Sequence, residues 1–285
     1  MITSTANAQV KELIRLMKKG RAREEAGVFL VEGPRMAGEL AQDVNWRERI
    51  RKIYLSESYA GKHEEEARGL RELCGVEVLS DNVFAHVSDT KTPQGILAVV
   101  NRKEYELADI LGYDAGRSRG HGTDLGQGET KTKAHVIVLD NLQDPGNLGT
   151  IFRTAEAAGA TGILLSRDCV DIYNPKVTRS TMGAVFRMPF LYVDDLPGAI
   201  DELKEMGIRV FAAHLEGKRA YDEEEYLGGT AFLIGNEGNG LRDEVAARAD
   251  CLIRIPMQGQ AESLNAAVAA AVLMFEVSRQ RRSGR

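Results

Sequence analysis

The sequence predicts an α/β protein with a mostly parallel sheet in its C-terminal half and a smaller α/β domain before it. Short apolar runs alternate with segments of helical periodicity along both halves. Between the halves, residues 112–133 contain six glycines and almost no apolar side chains. We therefore expect domains at residues 1–111 and 134–285, joined by a flexible linker at residues 112–133.

The N-terminal half begins with a helical pattern over residues 7–19, where Val10, Leu13, Ile14 and Met17 recur at helical spacing. Apolar runs typical of strands and further helical stretches alternate after it. The predicted strands cover residues 28–31, 53–55, 76–79 and 96–100, and the predicted helices cover residues 35–42 and 64–73. This alternation indicates a small layered α/β domain.

The C-terminal half repeats the alternation more strongly. The predicted strands cover residues 135–139, 162–165, 190–193, 210–213, 232–234 and 252–255, and the predicted helices cover residues 148–158, 196–206, 241–248 and 261–279. Continuous apolar strands joined through helices indicate a parallel sheet that is covered on both faces. In such sheets ligands bind at the carboxyl ends of the strands.

Composition limits the classes of protein to which the chain can belong. The net charge of −5 does not indicate a nucleic-acid binder, although residues 1–23 contain six cations and one acid, Glu12. The sequence contains no run of about 18 apolar residues, so it predicts no membrane span. The polar, basic N-terminus lacks the apolar core of a signal peptide, so we expect a cytoplasmic protein.

Cysteine and histidine residues do not predict a redox or metal site. Cys74, Cys169 and Cys251 are scattered in or beside apolar runs, and we expect them to be reduced and mostly buried. The five histidines show no metal-ligand spacing with one another or with the cysteines. We therefore predict no metal cofactor.

Three Gly/Asn-rich segments follow predicted strands, at residues 140–149, 235–241 and 256–265. Glycine allows close approach of a ligand to backbone donors, although a plain turn is an alternative for each segment. In the third segment Ser263 or Glu262 is a candidate helix cap. Neither the dinucleotide pattern G-x-G-x-x-G nor a P-loop occurs in the chain, which disfavours a nucleotide-dependent oxidoreductase.

Three motifs in order, at 141–159, 233–241 and 255–266, resemble the SpoU (TrmH) group of SPOUT RNA 2′-O-ribose methyltransferases, and a further stretch at 179–189 is similar to the same family. The sequence has NLQDPGNLGTIFRTAEAAG at 141–159, RSTMGAVFRMP at 179–189, LIGNEGNGL at 233–241 and IPM through ESLNA at 255–266. TANAQVK at 5–11 and GVFLVEG at 27–33 are similar to the L30e-like substrate-binding domain often joined to this catalytic domain. The long segment 112–133 departs from the shorter linkers usual there.

The resemblance implies a deep trefoil knot, a homodimer formed through the C-terminal domain, and S-adenosyl-L-methionine as cofactor. It implies that Arg153 is the central catalytic residue and that Asn147 orients Arg153 or the substrate. Three further residues complete the implied catalytic site, namely Glu237, Ser263 and Asn265. The implied cofactor-binding residues are Gly235, Ile255, Met257 and Leu264.

The resemblance also implies that RNA is the partner, most simply ribosomal RNA. The candidate RNA contacts are the basic residues Lys11, Lys18, Lys19 and Arg21 of the N-terminal basic segment, together with Arg179 of the stretch at 179–189. Two alternatives stay open, a transfer RNA 2′-O-methyltransferase and a non-catalytic RNA- or ribosome-binding protein on the same scaffold.

Overall fold

A computed structural model describes residues 1–112 and 134–284. The chain forms two compact units. The first unit contains Met1–Lys103 and Asp171–Phe186, and the second contains Glu104–Val170 and Arg187–Arg285. Apart from Gly112, the predicted linker lies outside the described residues, so its flexibility and the domain boundaries stay predictions.

The first unit is built on a four-stranded sheet in the order β1-β4-β2-β3. The strands are β1 Val28–Glu32, β2 Ile50–Ser56, β3 Val76–Leu79 and β4 Ile96–Asn101. The helices from the N-terminal segment are α1 Ala8–Lys18, α2 Gly20–Ala26, α3 Pro34–Gln42, α4 Val44–Arg47, α5 Glu57–Lys62, α6 Glu64–Leu73 and α7 Asp81–Val87. The four predicted strands and three predicted helices are confirmed.

Helix α1 buries Val10, Leu13 and Leu16, and the Asn7 side chain caps it by accepting from the N–H of Gln9. The basic segment is not one continuous helix, because Lys19 adopts an extended conformation between α1 and α2. Within α2, Arg23 is buried and donates to the Leu16 carbonyl at 2.8 Å. Arg23, although it belongs to the basic segment of the sequence, is therefore not exposed to a partner.

The second unit is built on a seven-stranded, fully parallel sheet in the order β7-β6-β5-β10-β8-β11-β9. Its strands are β5 His135–Leu139, β6 Gly162–Ser166, β7 Phe190–Val193, β8 Arg209–Ala213, β9 Arg219–Ala220, β10 Thr230–Ile234 and β11 Cys251–Arg254. Its helices are α8 Leu107–Ile110, α9 Pro145–Ala158, α11 Leu196–Glu205, α12 Asp243–Ala246 and α13 Ala266–Ser283. The predicted parallel sheet is confirmed. Strand β9 was not predicted, because it is too short to give an apolar pattern. Helix α12 covers only part of the predicted helix at 241–248.

The centre of this sheet is buried on both faces. All five residues of β5, β6 and β10 are buried, which explains why these strands have no polar alternation in the sequence. Phe211, Tyr226 and Phe232 contact one another on one face with ring centroids 4.9–5.8 Å apart. In the described part of the chain, no helix is long and apolar enough to cross a membrane.

The segment 171–186 packs within the first unit, and it contains most of the family stretch at 179–189. It contains α10 Pro175–Ser180 and a short 3-10 helix at Ala184–Phe186. Trp46 donates from Nε1 to the Phe186 carbonyl at 2.6 Å, and the rings of Phe29 and Tyr173 lie 4.6 Å apart. An ion pair between the buried Arg23 and the half-buried Asp171, 2.6 Å long, adds a charged contact. The family motif at 179–189 therefore divides between the two units.

The start of the last helix differs from the prediction. The apolar pattern predicted a helix from residue 261, but α13 begins at Ala266. Asn265 is its cap, since the Asn265 side chain accepts from the N–H groups of Ala267 and Val268. The interpretation of Ser263 or Glu262 as the cap is wrong, and both lie in the preceding loop.

A buried histidine opens the central strand of the second unit. His135 is 1 % exposed, and neither ring nitrogen has a hydrogen-bond partner among the described residues. Burial, with a smaller contribution from the nearby Arg281 cation, lowers the pKa of His135 to about 3. The unfolded chain therefore takes up a proton below about pH 6.5, whereas the folded chain does not until about pH 3.

This difference makes the folded state less stable as the pH falls. Between pH 7.5 and pH 5, the free energy of unfolding of the natural chain should fall by about 2 kcal/mol more than that of His135→Phe. Urea denaturation at the two pH values measures both changes. Equal pH dependence of the two proteins would show that His135 is not held neutral by the fold.

Candidate active site

The strand order brings four loops to one edge of the second sheet. Strands β5 and β10 are neighbours, and β8 lies between β10 and β11. Because all strands are parallel, the loops that follow them lie at the same edge. The three Gly/Asn-rich loops therefore come together as predicted, with the loop after β8 among them.

Two glycines allow these loops to pack closely. A Cβ atom on Gly235 would lie 2.2 Å from the carbonyl carbon of Gly240, so the loop after β10 can close as a tight turn only with glycine there. A Cβ atom on Gly217 would lie 2.5 Å from the carbonyl carbon of Ile253 in β11. The loop after β8 was missed at the sequence level, and Gly217 was its only distinctive signal.

The carboxylate of Glu237 joins the loop after β5 to the loop after β10. It accepts hydrogen bonds from the N–H of Gln143 at 3.1 Å, the N–H of Asp144 at 2.9 Å and the side-chain amide of Asn147 at 3.0 Å. Asp144 also caps α9, because its side chain accepts from the Asn147 N–H at 2.8 Å. Glu237 thus fixes the entry into α9.

These hydrogen bonds keep Glu237 ionised. The protein atoms around the carboxyl exclude water and by themselves raise its pKa. The hydrogen bonds from Asn147, Asp144, the Glu237 N–H itself and Gln143 outweigh this, so the pKa of Glu237 is lowered. A carboxylate with a lowered pKa and several donors is a weak proton acceptor.

Asn147 connects this cluster to the last helix. The Asn265 side chain donates from Nδ2 to Oδ1 of Asn147 at 2.9 Å, while Asn147 donates to Glu237. Helix α13 packs against α9, which places the cap of one helix beside the first turn of the other. Three of the five predicted catalytic residues, Asn147, Glu237 and Asn265, therefore form one hydrogen-bonded chain, hereafter the polar chain.

Arg153 is not part of the polar chain. It lies on α9 and is exposed, and its guanidinium forms no hydrogen bond or ion pair with any residue in the described ranges. The hydrogen bonds of Asn147 go to Glu237 and Asn265, so Asn147 does not orient Arg153 in this structure. The guanidinium is consequently available to an anion from outside the unit.

A second set of contacts lies beneath these loops. Asp140, at the end of β5, is 1 % exposed and accepts from the backbone N–H of Arg242 at 2.9 Å and from its Nε at 2.7 Å. Arg242 also lies 3.6 Å from the Asp168 carboxylate. Asn141 adopts a left-handed backbone with φ of 54°, and its carbonyl accepts from Asn236 at 2.8 Å. Sequence reasoning missed the Asp140–Arg242 pair because its partners are 102 positions apart.

The loop after β11 leaves its backbone polar groups free. Residues 256–263 form no hydrogen bonds with other described residues, through backbone or side chain. Ile255, Met257 and Leu264 are half-buried, whereas Ser263 is exposed. A loop with free backbone donors and acceptors beside half-buried apolar side chains is suited to bind a ligand that has polar and apolar parts.

The predicted RNA contacts all lie in the first unit. Lys11, Lys18 and Lys19 are exposed, whereas Arg21 is exposed but forms an ion pair with Glu25 at 2.9 Å. Arg179 is partly exposed and lies 3.5 Å from Asp89.

The histidine and cysteine side chains of the described ranges are scattered. Among those residues no group of three or more His, Cys, Asp or Glu side chains could hold a metal ion. All three cysteines are free, with Cys169 buried and Cys74 and Cys251 half-buried, and burial raises the pKa of each thiol.

Comparison with known proteins agrees with this geometry. The model of the "SpoU rRNA Methylase family" matches residues 134–275, and that of the "MRM3-like substrate binding domain" matches residues 7–98. The chain is 32 % identical over 278 residues to the 23S rRNA (guanosine(2553)-2′-O)-methyltransferase RlmP of Bacillus subtilis, covering 97 % of this chain and 98 % of that protein.

Solved structures show the same fold along nearly the whole chain. The SpoU methyltransferase AviRb from Streptomyces viridochromogenes, in complex with the cofactor AdoMet, has a TM-score of 0.81 at 26 % identity and covers 98 % of this chain and 100 % of its own. An AdoMet-bound rRNA methyltransferase from Sinorhizobium meliloti has a TM-score of 0.79 at 28 % identity, covering 98 % and 97 %. Motifs, sheet order and both full-length similarities agree, and the chain belongs to the SpoU rRNA methylase family.

Proposed function

We propose that this protein uses S-adenosyl-L-methionine to methylate a ribose 2′-hydroxyl in ribosomal RNA. The observation that carries this function is the polar chain, which joins one residue of each of the three strand-end motifs. The relative RlmP is a 23S rRNA 2′-O-methyltransferase by name, and two similar structures contain AdoMet. None of these three proteins is named a transfer RNA methyltransferase.

The loops after β10 and β11 fit the cofactor. S-adenosyl-L-methionine supplies a methyl group on a positively charged sulfur when it is bound. The free backbone groups of residues 256–263 and the tight turn at Gly235 offer hydrogen-bonding partners for a polar ligand. We assign Gly235, Ile255, Met257 and Leu264 to its binding, and the implied trefoil knot would place these loops around one site.

Arg153 is assigned to the RNA. A guanidinium group stays protonated in proteins and pairs with phosphate through two parallel hydrogen bonds. Since Arg153 is exposed and without a partner among the described residues, it is suited to hold the phosphate next to the target ribose. Such positioning aligns the 2′-hydroxyl with the methyl group.

Glu237 is assigned a positioning role. Its carboxylate is held by Gln143, Asp144 and Asn147, and its lowered pKa makes it a poor base. It fixes Asn147, which in turn contacts Asn265. Ser263 lies two positions before Asn265 of the polar chain. It is exposed and has no partner among the residues that the structure describes, so its hydroxyl is available to the substrate.

A non-catalytic RNA- or ribosome-binding protein is the second candidate from another class. It would need neither the free backbone groups of residues 256–263 nor the fixed start of α9. Calorimetric binding of S-adenosyl-L-methionine to the purified protein separates the two candidates, because a non-catalytic scaffold would show no such binding. An oxidoreductase is disfavoured by the missing phosphate-binding patterns.

An apolar stripe on α13 supports the homodimer. Val268 and Phe275 are 48 % and 46 % exposed, and Val272 lies half-exposed between them at helical spacing. Exposed apolar patches of this kind mark interfaces. We therefore propose that two copies pair through α13, and that the protein acts in the cytoplasm, where ribosomal RNA is modified.

The exposed lysines of α1 and its C-cap, Lys11, Lys18 and Lys19, are proposed RNA contacts. Arg21 and Arg179 are proposed contacts as well, although each lies beside an ion-pair partner.

Replacing Arg153 by alanine should lower methyl transfer about a hundredfold, because the phosphate loses its bidentate partner. Transfer of tritiated methyl groups to ribosomal RNA measures the rate, and calorimetry should show unchanged cofactor affinity. Arg282→Ala, which removes an exposed arginine from the end of α13, is the matched control. Near-normal turnover by Arg153→Ala would remove Arg153 from the catalytic role.

The variant Glu237→Gln should lower kcat about tenfold, because its amide group opposes one of the backbone donors that the carboxylate satisfied. The shape of the pH–rate profile between pH 6 and pH 9 should not change if Glu237 only positions Asn147. Glu244→Gln, at an exposed site on α12, is the control. Loss of the acidic limb in Glu237→Gln would instead identify Glu237 as the proton acceptor.

The variant Phe275→Lys should convert the dimer into a monomer, because a charge within the apolar stripe must be desolvated on pairing. Light scattering after size-exclusion chromatography measures the mass. Leu73→Lys, which alters a comparably exposed apolar residue on α6, should leave the mass unchanged. A monomeric natural chain, or a dimeric Phe275→Lys, would contradict pairing through this stripe.

A further inference from the structure

The first unit contains a cleft between α1 and the sheet. The cleft has a volume of about 450 Å³ and is lined from α1, β2 and β4, with Leu13, Leu16 and Val99 among its apolar residues. That volume lies in the range of small-molecule sites, so the cleft is large enough for one nucleoside but not for a folded partner.

We propose that this cleft holds one unpaired nucleotide of the RNA substrate, and we call it the nucleotide cleft. The proposal rests on the proposed function, since it assumes an RNA substrate. All residues that line the cleft lie between Ala8 and Val99, nearly the range matched by the substrate-binding model. Unpaired bases are the parts of RNA that proteins hold in apolar, aromatic sites.

The wall of the cleft combines an aromatic ring with cations. Tyr54 lines the cleft, and the Lys52 ammonium lies 5.4 Å from the centre of its ring. Arg51 also lines the cleft and is exposed. Its guanidinium forms no hydrogen bond or ion pair with a described residue, although its charge acts on Glu12. The acids nearby already have partners, since Glu12 bonds to Arg15 at 2.8 Å and Glu77 lies 3.7 Å from Lys52. Arg51 is therefore positioned to neutralise a phosphate.

Gln9 gives the cleft a fixed hydrogen-bond donor. Its Oε1 accepts from the Lys52 ammonium at 2.7 Å and from the Tyr54 hydroxyl at 3.1 Å. Because a lysine ammonium is only a donor, the amide oxygen must face it, and the NH₂ group must face the other way. That NH₂ group has no acceptor among the described residues. It can donate to a carbonyl or ring nitrogen of a base.

The test separates filling of the cleft from its charge. Ala8 is exposed at the start of α1 and lines the cleft, so Ala8→Trp fills the cleft without changing any charge. Arg51→Glu reverses the charge at its rim. Arg68→Glu makes the same reversal at an exposed site on α6 and is the matched control. The probe is a fluorescein-labelled, single-stranded RNA of ten nucleotides, and its anisotropy is measured with the full chain.

Both cleft variants should weaken binding of this RNA about tenfold, and Arg68→Glu should change it less than twofold. Circular dichroism and thermal unfolding of the full chain verify that the first unit, which contains the cleft, is folded in each variant. Weakening by Arg51→Glu alone would overturn the proposal, because charge would then act without occupancy of the cleft. Unchanged binding by both variants would overturn it as well.

Weakening by Ala8→Trp alone would support the cleft and overturn the assignment of phosphate to Arg51. If the natural chain methylates ribosomal RNA and the Ala8→Trp variant binds the labelled RNA as tightly as the natural chain, the nucleotide cleft is refuted and the proposed function stays intact. A natural chain that neither binds cofactor nor methylates RNA refutes the proposed function itself.

Discussion

The site depends on a single carboxylate with three protein donors. Glu237 lies in the loop after β10, yet its oxygens accept from two backbone groups of the loop after β5 and from the first turn of α9. Without a negative acceptor at this point, two backbone N–H groups before α9 would lack partners. Asn147 then transmits this order to the cap of α13. Three segments far apart in sequence thus share one hydrogen-bonded centre.

Much of the fold could be predicted because burial on both faces imposes continuous apolar runs. Strands such as β5 and β10 were therefore located well, whereas β9 has two residues and gives no pattern. The start of α13 was predicted too early because the polar residues before it did not mark where the loop ends. The true start depends on the conformation of Asn265, which caps the helix. The catalytic candidates came from the family motifs, not from periodicity or composition.

Pairing within the site was beyond sequence reasoning. Asp140 and Arg242 flank two recognisable motifs, but their contact is created by the adjacency of β5 and β10. The burial of Arg23 could not be predicted either, because a cation in a basic segment of sequence is normally expected to be exposed to solvent. Charge counts describe the chain, while burial and partners decide which cations stay available. The guanidinium groups of Arg153 and Arg51 are exposed and have no hydrogen-bond partner among the described residues, whereas that of Arg23 is buried and paired with Asp171.

The segment 171–186 has a consequence for how such proteins can be recombined. The chain leaves the first unit at residue 103, returns to it for 16 residues, and leaves it again. A chimera that exchanged only the N-terminal 103 residues between relatives would break the pairing of Arg23 with Asp171 and of Trp46 with Phe186. Exchange of substrate recognition therefore requires two coordinated grafts, and mutations on either side of the Arg23–Asp171 and Trp46–Phe186 contacts are expected to co-vary.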